Sequence, residues 1–212
     1  KGVNPQLIKK ISPVYEAVKS VKEMRESSSR EATKKLAETP QLFGEIRQPE
    51  TDYLIVPRHS SENRRYIPIG YMNKDTICGD ANMLIPSASL YIFGVLMSNV
   101  HNSWMRAVCG RIKSDYRYSA NMVYNNFPWC NPTSEQKVKI EQTAQGILDA
   151  RALYPDSSLA DLYDEVLMPP ELRRAHQLND KAVMQAYGFP IKDFTESDCV
   201  AALMKMYQEL MQ

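Results

Sequence analysis

The chain is predicted to be α+β, with N-terminal helices, a small mixed or antiparallel β region holding a buried helix pair, and an all-α C-terminal module. Three observations carry this prediction. Residues 53–86 hold short β-branched and aromatic runs separated by Pro, Gly and polar residues, the pattern of short strands joined by turns. The stretch SLYIFGVLMSNVHNSWMRAV, residues 89–108, is apolar on nearly every side, which suits a helix only when it is buried. Beyond Pro132, apolar residues recur at helical spacing through several segments.

Val14, Val18, Val21 and Met24 recur among Lys and Glu, so a helix is expected from Pro13 to about Ser29, where SSSR interrupts the pattern. A shorter helix is expected from Arg30 to Glu38. YLIVP at 53–57, RYIPIGY at 65–71 and TICGDANMLIP at 76–86 read as the β region. Ser87 is the expected N-cap of the apolar helix and Gly110 its expected C-cap. DYRYSANMVYNNFPW at 115–129 has strand-like content and closes the mixed region. Helices follow over 134–154, 158–165, 170–187 and 195–211, bounded by Ser134, Pro169–Pro170 and the Gly188–Pro190 turn. Two domains are expected, 1–131 and 132–212.

With 212 residues, 43% apolar and 24% charged, the chain has enough apolar content for a sizeable core, which excludes disordered and fibrous classes. No apolar run approaches the roughly 20 residues that span a bilayer, and the opening lacks a secretory apolar stretch, so a cytoplasmic location without membrane contact is expected. Lys1 replaces an initiating methionine, and the chain is expected to be a piece of a larger protein with further function upstream. Cys78, Cys109, Cys130 and Cys199 form no CxxC pair, which argues for reduced thiols and no metal site. Charge is unevenly placed: residues 1–131 hold 18 Lys plus Arg against 12 Asp plus Glu, and residues 132–212 hold 8 against 13. A basic first part suits a polyanion, although the same excess also solvates helical surfaces.

Several long phrases are similar to one family. RRYIPIGYM (64–72), IPSASLYIFGVLMS (85–98), WMRAVCGRIKSDYRYS (104–119), VYNNFPW (123–129) and the stretch from Ile147 to Gly188 resemble the MmeI-like type IIL enzymes. Those are single chains that join a nuclease, a DNA adenine methyltransferase, a target recognition domain and a helical tail. The resemblance implies a non-catalytic portion that recognises double-stranded DNA. The methyltransferase and nuclease domains, with S-adenosylmethionine and the Mg needed for cleavage, are then expected upstream of this region. The residues agree, since no Gly-rich cofactor turn and no Asn/Asp-Pro-Pro-aromatic loop is present. Asn126-Phe-Pro-Trp129 shares only the outline of that loop and is read as a strand end.

Arg or Lys can donate to guanine in the major groove and Asp or Glu can accept from the cytosine amino group, so a basic and an acidic side chain together read a G:C pair. Lys113 and Asp115 stand two residues apart, and on an extended segment both would face one way. The resemblance makes these two a base-reading pair, Arg58 with Asp80 a second, and Ala81 with Arg117 a third that accepts either purine. Arg64, Arg65, Arg106 and Arg111 are the expected phosphate contacts, which position without specifying. The residues alone leave alternatives open: an exposed Lys113–Asp115 ion pair, Arg117 stacked between Tyr116 and Tyr118, or a basic protein-interaction or scaffolding module.

Overall fold

The computed structural model describes residues 4–211 and divides the chain into two compact units, one ending at Gln48 and one starting at Pro49. Helices and two small antiparallel sheets make an α+β chain with a helical C-terminal part, as predicted. Among the described residues, no helix is long and apolar enough to cross a membrane.

The first unit holds α1 (Pro5–Ile8), α2 (Ser12–Glu26) and α3 (Glu31–Lys35), which runs into a 3-10 turn at Leu36–Glu38. The helical spacing of Val14, Val18, Val21 and Met24 does produce α2, with a proline in its first turn. Its apolar stripe is not a core face, however: α2 contains no buried residue, and Val14 and Met24 are exposed. Polar clamping holds this unit, because the Arg25 guanidinium donates to the carbonyls of Leu36, Thr39 and Leu42 at 2.8, 3.2 and 2.9 Å.

In the second unit, β1 (Tyr53–Pro57) lies between β3 (Gly70–Met72) and β4 (Asn82–Pro86), with Leu54 opposite both Tyr71 and Ile85. A second sheet has the order β2 (His59–Ser60), β6 (Asp115–Arg117), β5 (Gly110–Ile112). Arg58 links the two sheets: its N–H donates to Ala81 O at 3.0 Å and its carbonyl accepts from Tyr118 N at 2.8 Å. The expected strands are shortened by local chemistry. Within RYIPIGY only the end forms β3, because Pro68 has no N–H for a ladder. In TICGDANMLIP the first part is a turn, closed by Asn82 N donating to Gly79 O at 3.1 Å.

The apolar stretch is a helix pair, α4 (Leu90–Leu96) and α5 (Asn99–Val108). Their caps are Ser89 and Ser98, whose hydroxyls accept from Ile92 N and His101 N. Ser87, the expected cap, instead has φ 52° and donates its hydroxyl to Thr51. Gly110 is not a C-cap either, since α5 ends at Cys109 in an extended conformation and Gly110 opens β5. Residues 115–129 are strand only as far as Arg117. Ser119 then caps a π-helical turn over Ala120–Tyr124, closed by Asn125 N donating to Ala120 O. Asn126–Trp129 therefore follows a turn, not a strand, and Phe127 is buried edge-on against His101 and Trp129.

The C-terminal helices are α6 (Ser134–Ala152), α7 (Leu159–Leu162), α8 (Pro170–Ala186) and α9 (Glu196–Leu210). Capping boxes start three of them, Thr133 with Gln136, Ser158 with Asp161 and Thr195 with Asp198. Helix α6 packs on α8 and α4, and α9 packs on α5, so residues on both sides of position 131 share one core. A buried polar network joins them. Tyr66 Oη donates to Asp180 at 2.6 Å, and Asp180 also accepts from Asn99 N at 2.7 Å. His176 stacks on Tyr66 with ring centres 4.1 Å apart, and its Nδ1 faces the Met97 carbonyl at 3.2 Å. A carbonyl only accepts, so Nδ1 carries the proton and Nε2 accepts from Tyr163 Oη at 2.7 Å. Tyr163 Oη is free to do so because it accepts in turn from Arg151.

Gly94 permits the closest approach in this core. An added Cβ would lie 2.7 Å from Ile140 Cγ2, 3.0 Å from Ala144 Cβ and 3.1 Å from Asn179 Oδ1. Gly94→Ala is therefore expected to lower stability by about 1–3 kcal/mol through overpacking. A lower denaturation midpoint at unchanged slope would show this; an unchanged midpoint would mean that α6 yields freely.

Candidate nucleic-acid interface

The strands β5 and β6 form a hairpin with Ile112 opposite Asp115, which leaves a two-residue loop of Lys113 and Ser114. Lys113 has φ 55°, the left-handed conformation that the first position of a tight hairpin loop requires. Lys113 and Asp115 thus do not share one face of an extended segment, as expected from their spacing. One sits at the hairpin tip and the other begins β6. No ion pair joins them, and Asp115 Oδ1 accepts from Glu62 N at 3.2 Å.

Alternation along β6 sorts the other side chains. Asp115 and Arg117 are exposed while Tyr116 between them is buried, and its register partner Ser60 is buried too. Arg117 is opposite His59 on one side and Gly110 on the other. Arg111 turns to the inner side, where its guanidinium covers the Tyr116 ring at 4.2 Å and donates to Ser114 O at 2.7 Å. It is Arg111, not Arg117, that stacks on a tyrosine. Tyr118 is buried beneath this surface, and burial pushes its hydroxyl pKa up; its Oη and His101 Nε2 are 2.9 Å apart.

Arg58, Ala81 and Arg117 are brought together where the two sheets join, since residue 58 bonds to Ala81 on one flank and to Tyr118 on the other. Arg58 is half-buried and its Nε donates to Asn82 O at 3.3 Å. Asp80 and Ala81 are exposed on the turn entering β4.

The arginines expected at phosphates divide. Arg64 and Arg65 line a cleft of about 440 Å³, and Glu62, Glu165 and Glu196 line it as well, so its charge is mixed. Arg64 Nε is buried without a hydrogen-bond partner among the described residues. Arg106 is occupied within the fold. It forms a bidentate ion pair with Glu196 at 2.6 and 3.0 Å and donates to Arg65 O at 2.9 Å. Its guanidinium is therefore committed to the fold.

Because Lys113 holds a left-handed conformation that costs a side-chain-bearing residue about 1 kcal/mol, Lys113→Gly is expected to keep or raise thermal stability. The variant removes the ammonium without loosening the hairpin. A marked fall in unfolding temperature would show that the lysine side chain supports the fold.

This arrangement is that of a target recognition domain joined to a helical C-terminal domain. A family model described as MmeI, target recognition domain, matches residues 1–131, and one described as MmeI, C-terminal domain, matches residues 132–212. The chain belongs to the MmeI family. The structure of the type IIL restriction-modification enzyme MmeI in complex with DNA matches with a TM-score of 0.95 and 47% identity, covering 100% of this chain and 28% of that one. DNA methyltransferase A of Bacillus subtilis (strain 168) is 39% identical over 198 residues, 93% of this chain and 22% of its own length. The chain spans about a quarter of the length of these relatives.

Proposed function

We propose that this chain reads a short asymmetric duplex DNA site from the major groove and places that site for an adenine methyltransferase carried elsewhere in a longer protein. The chain itself is non-catalytic. The observation that carries this reading is the exposed face of the β2-β6-β5 sheet, which turns Asp115 and Arg117 outward beside Lys113 at the hairpin tip. Opposite charges on one exposed ribbon match the donor and acceptor edges of a G:C pair, and a two-stranded ribbon fits the major groove. The likeness to an enzyme solved in complex with DNA supports the same reading. S-adenosylmethionine and the Mg for cleavage belong, in this proposal, to nuclease and methyltransferase parts outside this chain.

Lys113 with Asp115 and Arg58 with Asp80 each read a G:C pair, and Arg117 beside Ala81 contacts a purine. Arg64, Arg65 and Arg111 hold phosphates, Arg111 through N–H groups other than the one bonded to Ser114 O. Binding of the full-length protein to duplexes that differ by single base pairs tests the reading. A scaffold would bind them all alike, whereas a reader loses about 1–3 kcal/mol for each wrong pair. Arg64→Ala is expected to weaken binding to every duplex about equally and to lower the salt slope by about 1. A loss confined to one sequence would move Arg64 among the base readers.

A further inference from the structure

We propose that His59 is a further sequence-reading residue, serving the pyrimidine of the base pair whose purine Arg117 contacts. This rests on the DNA-reading function proposed above. The chain has 3 histidines. His101 and His176 are buried and hydrogen-bonded, whereas His59 is exposed and no hydrogen bond or ring contact among the described residues engages its imidazole.

Register places it. His59 is the direct cross-strand partner of Arg117, so the two side chains leave the same face of the sheet with Cβ atoms roughly 5 Å apart. Their neighbours Ser60 and Tyr116 point inward. The third strand offers Gly110 opposite Arg117, and there the nearest approach of an added Cβ would be 3.8 Å, ordinary contact. Arg117 therefore has a side chain beside it on one flank only, and that side chain is an imidazole.

The chemistry fits a purine:pyrimidine pair. Both purines present N7 as an acceptor in the major groove, and Ala81 carries no polar group to separate guanine O6 from the adenine amino group. An arginine donating to N7 tolerates either. A neutral imidazole has one N–H donor and one acceptor nitrogen, so it donates to thymine O4 or accepts from the cytosine amino group by exchanging tautomers. His59 thus confirms that a pyrimidine faces the purine without choosing between the two.

Removing that versatility should force a choice. Lysine only donates and aspartate only accepts. In cells expressing the full-length protein, sequencing of methylated positions is expected to show His59→Lys favouring thymine and His59→Asp favouring cytosine at one position, each by roughly 3- to 10-fold. That position should be the one Arg117→Ala loosens. Retention of the original preference in both variants overturns the proposal, as does an equal fall at every site, which would mark His59 as a framework or phosphate residue. His59→Lys cannot pair with Arg117, so it stays informative if the aspartate variant locks onto that arginine. Lys113→Glu with Asp115→Arg, run in parallel, separates the failures. If that pair shifts a base and His59 does not, only the His59 proposal falls; if neither does, the reading function falls as well.

Discussion

Exchanging the signs of the hairpin pair, Lys113→Glu together with Asp115→Arg, is expected to move methylation by the full-length protein to a site in which one G:C pair is reversed. In the proposed reading the basic member donates to guanine and the acidic member accepts from cytosine, so exchanging them suits the opposite polarity. The original site should fall by about 5- to 150-fold, the cost of one mismatched pair at about 1–3 kcal/mol. Lys113→Glu alone should lose the original site without gaining another, because two carboxylates then face one base pair. Both positions are exposed and Asp115 has a single backbone partner, so the fold should survive. Continued methylation at the original site by the double variant would end the assignment.

Acid is expected to destabilise the chain from about pH 6.5 downward, well above ordinary carboxylate titration. Burial lowers the pKa of His101 and of His176 to about 3 each, and the Arg151 charge adds to the effect at His176. The unfolded chain takes up these protons near 6.5 and the folded chain does not, so stability falls as pH drops through that range. Asp180 works in the opposite direction. Burial raises its pKa to about 6, against its hydrogen bonds from Tyr66 and Asn99 N and the nearby arginines, so the folded chain binds that proton first and gains stability as pH falls from 6. Between pH 7 and 5 the histidines cost about 4 kcal/mol and Asp180 returns about 1 kcal/mol. Denaturant titrations across that range should show the net loss, and His101→Gln should remove about half of the histidine contribution. An unchanged pH slope in that variant would mean His101 is protonated in the folded chain.

Helices after Pro132 were legible because their periods and caps are local. Thr133–Gln136 and Thr195–Asp198 carry the capping spacing in the sequence itself. The β region was less so. Ser87 and Ser89 are equally good caps by composition, and what separates them is the Ser87 backbone turning left-handed beside Thr51. The hairpin at Lys113–Ser114 escaped because its loop lacks the Asn-Gly or Gly-first signal that marks such turns. Arg106 at a helix end reads equally as a phosphate contact or a structural charge; its partner Glu196 lies 90 residues away, which no local pattern displays. Val14 and Met24 had the spacing of a core stripe, but periodicity reports amphipathicity and not what covers the face. The alternation exposed–buried over His59–Ser60 and over Asp115–Arg117 was available, though β2 is only 2 residues long and gains its meaning from pairing with β6.

Alternation in β6 also bears on how such a chain acquires new partners over generations. Tyr116 and the neighbouring Tyr118 hold the sheet to the core, while the exposed positions 59, 115 and 117 contribute little to that attachment. Heritable change at the outward positions is therefore nearly uncoupled from folding, and on the reading proposed above a lineage could drift between recognition sequences while keeping the fold.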